Sequence, residues 1–253
     1  MNSDRIEIFR RGFSFAVDGP GNRLVYHLCG CNYRCPWCAN PTCGAQFASL
    51  HTTIAVDEVI KDAVGAKPLF FAGGGVTFTG GEPTLQFSAL REALAGLREA
   101  GIHTCVESNA SHPDLPELFP LIDFLILDCK HHDDMLHRRW TGEGIAPVLA
   151  NIRVAAQERE QLLVRIPLVG GVNASEADAH AFAALLPSLG KISTENFHSG
   201  KFSVELLRYH EYGKPKWEQL GMEYTMRDAE VSPEQALRFA EVLRQTGMTV
   251  LYK

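Results

Sequence analysis

Short apolar runs alternate along the chain with stretches whose apolar positions recur at helical spacing. Extended segments are predicted over 23–28, 75–79, 102–107, 124–130, 162–168, 202–209 and 248–252. Between them, Val56, Val59, Ile60, Ala63 and Val64 mark one helix face. Leu90, Ala93, Leu94 and Leu97 mark a second, stopped near Gly101. A helical stretch follows Lys130 as far as Gln157, and another covers about 177–186. Ser232-Pro233-Glu234-Gln235 reads as a capping box opening a last helix with Ala236, Phe239, Ala240 and Leu243 inward. Residues 5–10 and 12–17 alternate around Gly12 and predict a hairpin, followed by the turn Asp18-Gly19-Pro20-Gly21. Residues 193–201 are polar and read as a loop. Strands alternating with helices imply a parallel sheet, and the unbroken run Phe124-Leu125-Ile126-Leu127 suits a strand covered on both faces. The count fits an α/β fold of the partial (β/α)6 TIM-like barrel type. One domain over 1–253 is expected, residues 1–22 forming the hairpin and turn and 23–253 the barrel.

Length and composition narrow the functional classes. A chain of 253 residues can bury a full core, and 45% hydrophobic with 21% charged residues is an ordinary globular balance. A formal charge of −6 without a long basic run argues against nucleic acid as partner. No uninterrupted apolar stretch reaches the ~18 residues of a membrane span, and the charged first residues lack an apolar leader. The expected compartment is the cytoplasm, reducing enough to keep thiols available for metal.

The chemistry concentrates at Gly30-Cys31-Asn32-Tyr33-Arg34-Cys35-Pro36-Trp37-Cys38-Ala39-Asn40-Pro41. Three thiolates this close can hold three corners of an iron–sulfur cube and leave one iron open to a non-protein ligand. On spacing alone two other readings stay open. Cys29 or Cys43 could complete an electron-transfer cluster, and a zinc module could recruit Cys29, Cys43, His27 or His51. Gly80-Gly81-Glu82 follows the 75–79 strand, but without Lys and Ser or Thr it is no phosphate loop. Glycines beside a carboxylate suit a cation. Asp128 and Lys130 share one strand face, either as a mutual ion pair or around a ligand carrying both charges. His131-His132-Asp133-Asp134 reads as a solvated helix start in preference to a metal site.

The cysteine loop resembles that of the radical S-adenosylmethionine (SAM) superfamily, closest to its branch that activates glycyl-radical enzymes of the pyruvate formate-lyase type. The matching stretches are Val17-Asp18-Gly19-Pro20-Gly21, the loop itself, 73–83, Leu127-Asp128-Cys129-Lys130 and Tyr209-His210-Glu211-Tyr212-Gly213-Lys214. The resemblance implies one 4Fe–4S cluster on Cys31, Cys35 and Cys38, with SAM chelating the open iron. It places Gly80, Gly81 and Glu82 at the methionine ammonium, with Asp128 fixing the same end. Lys130 falls at the SAM carboxylate and His210 against SAM, while Trp37 and Asn40 lie on the adenosine side. Arg165, a charge inside an apolar strand, is a further cofactor contact. Glu107 takes the place of a family aspartate beside a monovalent cation, and its longer arm leaves that cation site open. Asp18 falls where the partner's glycine loop approaches. The implied partners are a glycyl-radical enzyme as protein substrate and a flavodoxin or ferredoxin as electron donor. The alternative is a radical SAM enzyme acting on a small molecule such as a deazapurine precursor.

Overall fold

The computed structural model describes residues 4–159, 161–190 and 202–252, so the polar 193–201 stretch lies outside the described residues. The chain groups into two compact units. The first is Met1–Asn32, Asn40–Ser108 and Glu117–Ile126, and the second is Tyr33–Ala39, Asn109–Pro116 and Leu127–Lys253.

In the first unit β1 (Arg5–Phe15), β2 (Asn22–Leu28), β3 (Thr52–Ala55), β4 (Gly75–Gly80) and β5 (Thr104–Ser108) stand in the order β3-β1-β2-β4-β5. β1 is antiparallel to both its neighbours, whereas β2, β4 and β5 run parallel. The hairpin expected over 5–17 does not form. A tight hairpin turn needs central residues at positive φ, and none of Arg10, Arg11 and Gly12 has one. The segment instead continues as one strand with a register shift between Ile8 and Arg10, and Gly12 pairs with Val25 of β2.

Helix α1 (Val56–Ala66) buries Val56, Val59, Ala63 and Ala66, while Val64 of the expected face is exposed. No side chain caps it; the Val56 N–H instead donates to the Asp4 carbonyl at 2.8 Å. Helix α2 (Phe87–Glu99) buries the four predicted leucine and alanine positions and Ala89. The two helices approach closely at Gly96, where a Cβ would lie 2.3 Å from the Ile60 Cδ1. Arg23 is fully buried at the base of β2. It donates to the Thr77 hydroxyl and to the carbonyls of Pro20, Gly73, Val76 and His103, and Thr77 in turn donates to the Asp18 carbonyl at 2.7 Å. This cage holds the 18–21 turn. Phe13, Phe15 and Val17 stay exposed beside it, with the Phe15 ring 5.7 Å from that of Phe71.

β6 (Phe124–Asp128) is buried at its first four positions. In the second unit β7 (Leu162–Leu168), β8 (Ser203–Arg208) and β9 (Val250–Tyr252) are parallel. The helical stretch expected up to Gln157 is two helices, α3 (Asp134–Thr141) and α4 (Ala146–Glu158). Gly142 at φ +96° ends the first, and a proline in the first turn opens the second. Further along come α5 (Glu176–Leu185), α6 (Lys214–Gln219) and α7 (Pro233–Arg244), with Phe182 and Phe239 meeting between α5 and α7. At α7 only half of the expected capping box is made. Ser232 accepts from the Gln235 N–H, but the Gln235 amide turns away to the Ala174 carbonyl. The reciprocal box is at α5, between Ser175 and Asp178. Among the described residues no helix is long and apolar enough to cross a membrane.

Because both halves of the α5 box are intact, Ser175→Ala is expected to lower unfolding free energy by about 1 kcal/mol. A lower urea midpoint at unchanged m-value would register it, and an unmoved midpoint would refute it.

Candidate functional site

The second unit holds most of the cysteine loop and fixes it through backbone contacts. The Cys38 N–H donates to the Cys35 carbonyl at 3.1 Å, a turn that brings these two residues back toward each other. The Arg34 N–H donates to the carbonyl of Thr141 at the end of α3. A Cβ on Gly142 would meet the Arg34 side chain at 3.0 Å, so the glycine that ends α3 also makes room for the loop. From the other side, the Trp217 indole of α6 donates to the Cys38 carbonyl at 2.9 Å and Lys216 donates to the Ala39 carbonyl at 2.6 Å. Gly213 lies against that same Cys38 carbonyl, where a Cβ would come within 2.3 Å. Trp37 and Trp140 pack on the cluster of Val169, Val172, Tyr209, Met226 and Ala229, their rings 6.1 Å apart. Cys35 is buried and Cys38 half-buried. His210 is exposed just past β8, its ring 5.0 Å from that of Tyr212.

At the end of β6, Lys130 donates to Asp128 Oδ2 at 2.6 Å, with the two side chains only 14% and 15% exposed. Burial pulls the Lys130 ammonium down, but Asp128 and then Cys35 more than offset it, so its pKa lies above the usual lysine value. The other oxygen, Asp128 Oδ1, is buried without a hydrogen-bond partner among the described residues. A half-satisfied carboxylate beside an ammonium is an arrangement suited to a further donor.

Arg165 of β7 faces its register partner Glu205 of β8, Nε to Oε2 at 2.5 Å, and both are buried. Sequence reasoning missed Glu205. The signal was a carboxylate in the apolar run Phe202–Tyr209, two charges within a buried pair of strands calling for each other.

In the first unit, Cys31 is half-buried and follows Gly30, whose φ is +87°. Gly30 donates to the Cys43 carbonyl and accepts from the Glu82 N–H, each at 2.7 Å. A Cβ on Gly81 would lie 1.9 Å from the Gly30 oxygen, and one on Gly80 would lie 2.5 Å from the Leu28 nitrogen. These glycines are therefore required for close approach of backbones, whatever else they bind. Glu82 is fully buried, its Oε1 accepting from the Thr84 N–H at 3.1 Å, the Thr84 hydroxyl at 2.6 Å and the Ser108 hydroxyl at 2.8 Å. Thr84 and Ser108 are further residues that the sequence reading passed over. Glu107, next to Ser108, is half-buried, and Asn40 reaches the Gly80 carbonyl only at 3.5 Å. Asp18 is half-buried in the turn that Arg23 and Thr77 hold.

Two other sequence candidates find other surroundings. His131 is not solvated: it is buried, donating from Nε2 to the Val172 carbonyl at 3.1 Å and accepting the Asp133 N–H on Nδ1 at 3.0 Å. A turn that folds inward ahead of α3 explains this, with Asp133 capping the helix at Leu136. Cys29 is buried near Glu7 and His51, and burial followed by the Glu7 charge pushes its thiol up to about 12.

A family profile described as the radical SAM superfamily matches residues 25–184. The pyruvate formate-lyase-activating enzyme of Staphylococcus aureus (strain USA300) is 33% identical over 233 residues, covering 88% of this chain and 89% of the relative. Among solved structures, a domain of pyruvate-formate lyase-activating enzyme from Bacteroides vulgatus matches 72% of this chain and 99% of its own, with TM-score 0.56 and 27% identity. A radical SAM methyltransferase from Sphaerobacter thermophilus shares the fold at TM-score 0.63 over 99% of this chain and 73% of its own, at 17% identity.

Arg165→Met is expected to destabilise the chain by about 3–5 kcal/mol, because it removes the charge that faces the buried Glu205 carboxylate. Adding Glu205→Leu should recover most of that loss. Equal and additive losses in denaturant titrations of the two single variants and the double variant would refute the pairing.

Proposed function

Since the chain belongs to the radical SAM superfamily, we propose that it activates a glycyl-radical enzyme of the pyruvate formate-lyase type. The observation that carries this reading is the intact three-cysteine loop in a chain similar, over 88% of its length, to an activating enzyme of that name. Cys31, Cys35 and Cys38 would hold one 4Fe–4S cluster, and the turn joining Cys35 to Cys38 suits two thiolates on a common centre. When bound, the cluster would supply the single-electron reduction of SAM, the chemistry that hydrogen-atom removal from a glycine of the partner requires.

The protein residues then bind and orient. Lys130 offers an ammonium to the SAM carboxylate, and the buried Asp128 Oδ1 offers an acceptor to its ammonium, so the pair fits a zwitterion. Glu82, fixed by Thr84 and Ser108, cannot swing away from the turn at Gly80 and Gly81 where the same ammonium would rest. Trp37, Asn40, Arg165 and His210 complete the cofactor contacts, Glu107 stands at the monovalent-cation position, and Asp18 meets the incoming glycine loop. Trp217 and Lys216 hold the loop from behind through the Cys38 and Ala39 carbonyls. A flavodoxin or ferredoxin is the electron donor, in the cytoplasm.

Anaerobically reconstituted protein, reduced and supplied with SAM and a glycyl-radical partner, should release 5′-deoxyadenosine and leave a glycine-centred EPR signal on the partner. A modified small molecule with no partner radical would replace this reading by the small-molecule one. Cluster spectra indifferent to SAM would replace it by electron transfer.

A further inference from the structure

We propose a second metal centre, separate from the cysteine loop, in which Glu7, Cys29 and His51 bind one zinc-class divalent cation. One ligand atom from each, a carboxylate oxygen, a thiol sulfur and an imidazole nitrogen, lies within 4.8 Å of the other two. All three belong to the first unit: Glu7 on β1, Cys29 just past β2, and His51 immediately before β3. The inference is independent of the activating reaction.

The imidazole carries the argument. His51 Nε2 lies 2.8 Å from the Thr42 carbonyl, which can only accept, so Nε2 holds the proton. In the neutral ring Nδ1 then presents its lone pair to the Glu7 carboxylate, 3.4 Å away. Two lone pairs facing each other repel unless something positive sits between them. A proton there would draw the pair in to about 2.7–2.9 Å as a charge-assisted hydrogen bond. By contrast, nitrogen and oxygen ligands at about 2.0–2.1 Å on a tetrahedral ion are about 3.3 Å apart. The 3.4 Å separation matches the spacing two ligands would have on one metal. An outward hydrogen bond from the far ring nitrogen to a carbonyl is also the usual support of a metal-bound histidine.

The remaining ligands are held as firmly. The Gln86 side chain accepts from the Glu7 N–H and donates to the Glu7 carbonyl, both at 2.8 Å, and reaches the Cys29 carbonyl at 3.1 Å. The Cys29 N–H donates to that same Glu7 carbonyl at 2.9 Å. Two ligand backbones are thereby locked together before any ion arrives. The His51 side chain is 3% exposed and that of Glu7 47%, so the cation would have a dry thiolate and imidazole behind it and solvent on the Glu7 side. Thiolate with imidazole and carboxylate selects zinc over calcium or magnesium, and three protein ligands leave the fourth position to water. Such an ion would clip the antiparallel edge formed by β1, β2 and β3.

The test uses the full chain with Cys31, Cys35 and Cys38 replaced by alanine, titrated anaerobically with Co2+ and then displaced by Zn2+. One equivalent of Co2+ should bind with thiolate-to-cobalt charge-transfer and tetrahedral ligand-field bands. Adding C29S should abolish the charge-transfer band, and adding H51Q should weaken Zn2+ by more than about 100-fold, the upper end of the cost of an outer partner. Absent bands, or Zn2+ affinity unmoved by either change, would reduce the cluster to an ion pair beside a buried thiol and overturn the proposal. Should the triple variant not fold, zinc and iron are counted in the reconstituted native chain and in C29S alone. Loss of zinc at constant iron supports the site; loss of iron assigns Cys29 to the loop cluster and overturns it.

Discussion

The tightest constraint in the first unit is a backbone against a backbone. The Gly81 α-carbon faces the Gly30 carbonyl with no room for a methyl group, and the Glu82 N–H closes the contact by donating to that carbonyl. This one approach couples the residue preceding Cys31 to the turn that carries Glu82. Gly80 repeats the device against Leu28 at positive φ. Neither contact depends on side-chain rotamers, so the positions of Cys31 and Glu82 follow the sheet itself rather than any loop's preference.

Around that frame the interior carries an unusual load of charge, and each case is handled differently. Arg23 is surrounded mainly by carbonyl oxygens and a hydroxyl, which solvate a guanidinium without neutralising it. Its pKa falls below the usual arginine range through burial, with Cys105, Asp123 and Asp18 opposing the drop. Arg165 and Glu205 neutralise each other across adjacent strands. Asp128 and Lys130 do so only in part, since one carboxylate oxygen has no donor among the described residues. An incompletely satisfied buried pair is costly to folding and is tolerated most readily where something else binds.

Much of this was legible in the sequence, for identifiable reasons. The apolar periodicities of α1 and α2 and the unbroken run of β6 marked those elements because packing and local preference agree there. The three-cysteine spacing and the Asp128–Lys130 pair were legible because their chemistry is local to a few residues. What escaped depended on partners distant in sequence. Gly12 reads as a turn until β2 supplies a ladder for it. Arg23 gives no sign of its cage, since the carbonyls that form it come from four separate positions. Glu205 and the Glu7–Cys29–His51 group likewise exist only once strands are set side by side.

The three tryptophans of this chain, Trp37, Trp140 and Trp217, all border the cysteine loop within the second unit. One is part of the loop, one packs at a tilt against that loop tryptophan and one donates to the loop backbone. The molecule thus carries its own optical probe: its tryptophan emission reports on the neighbourhood of Cys35 and Cys38. A chromophore seated there would quench all three emitters together.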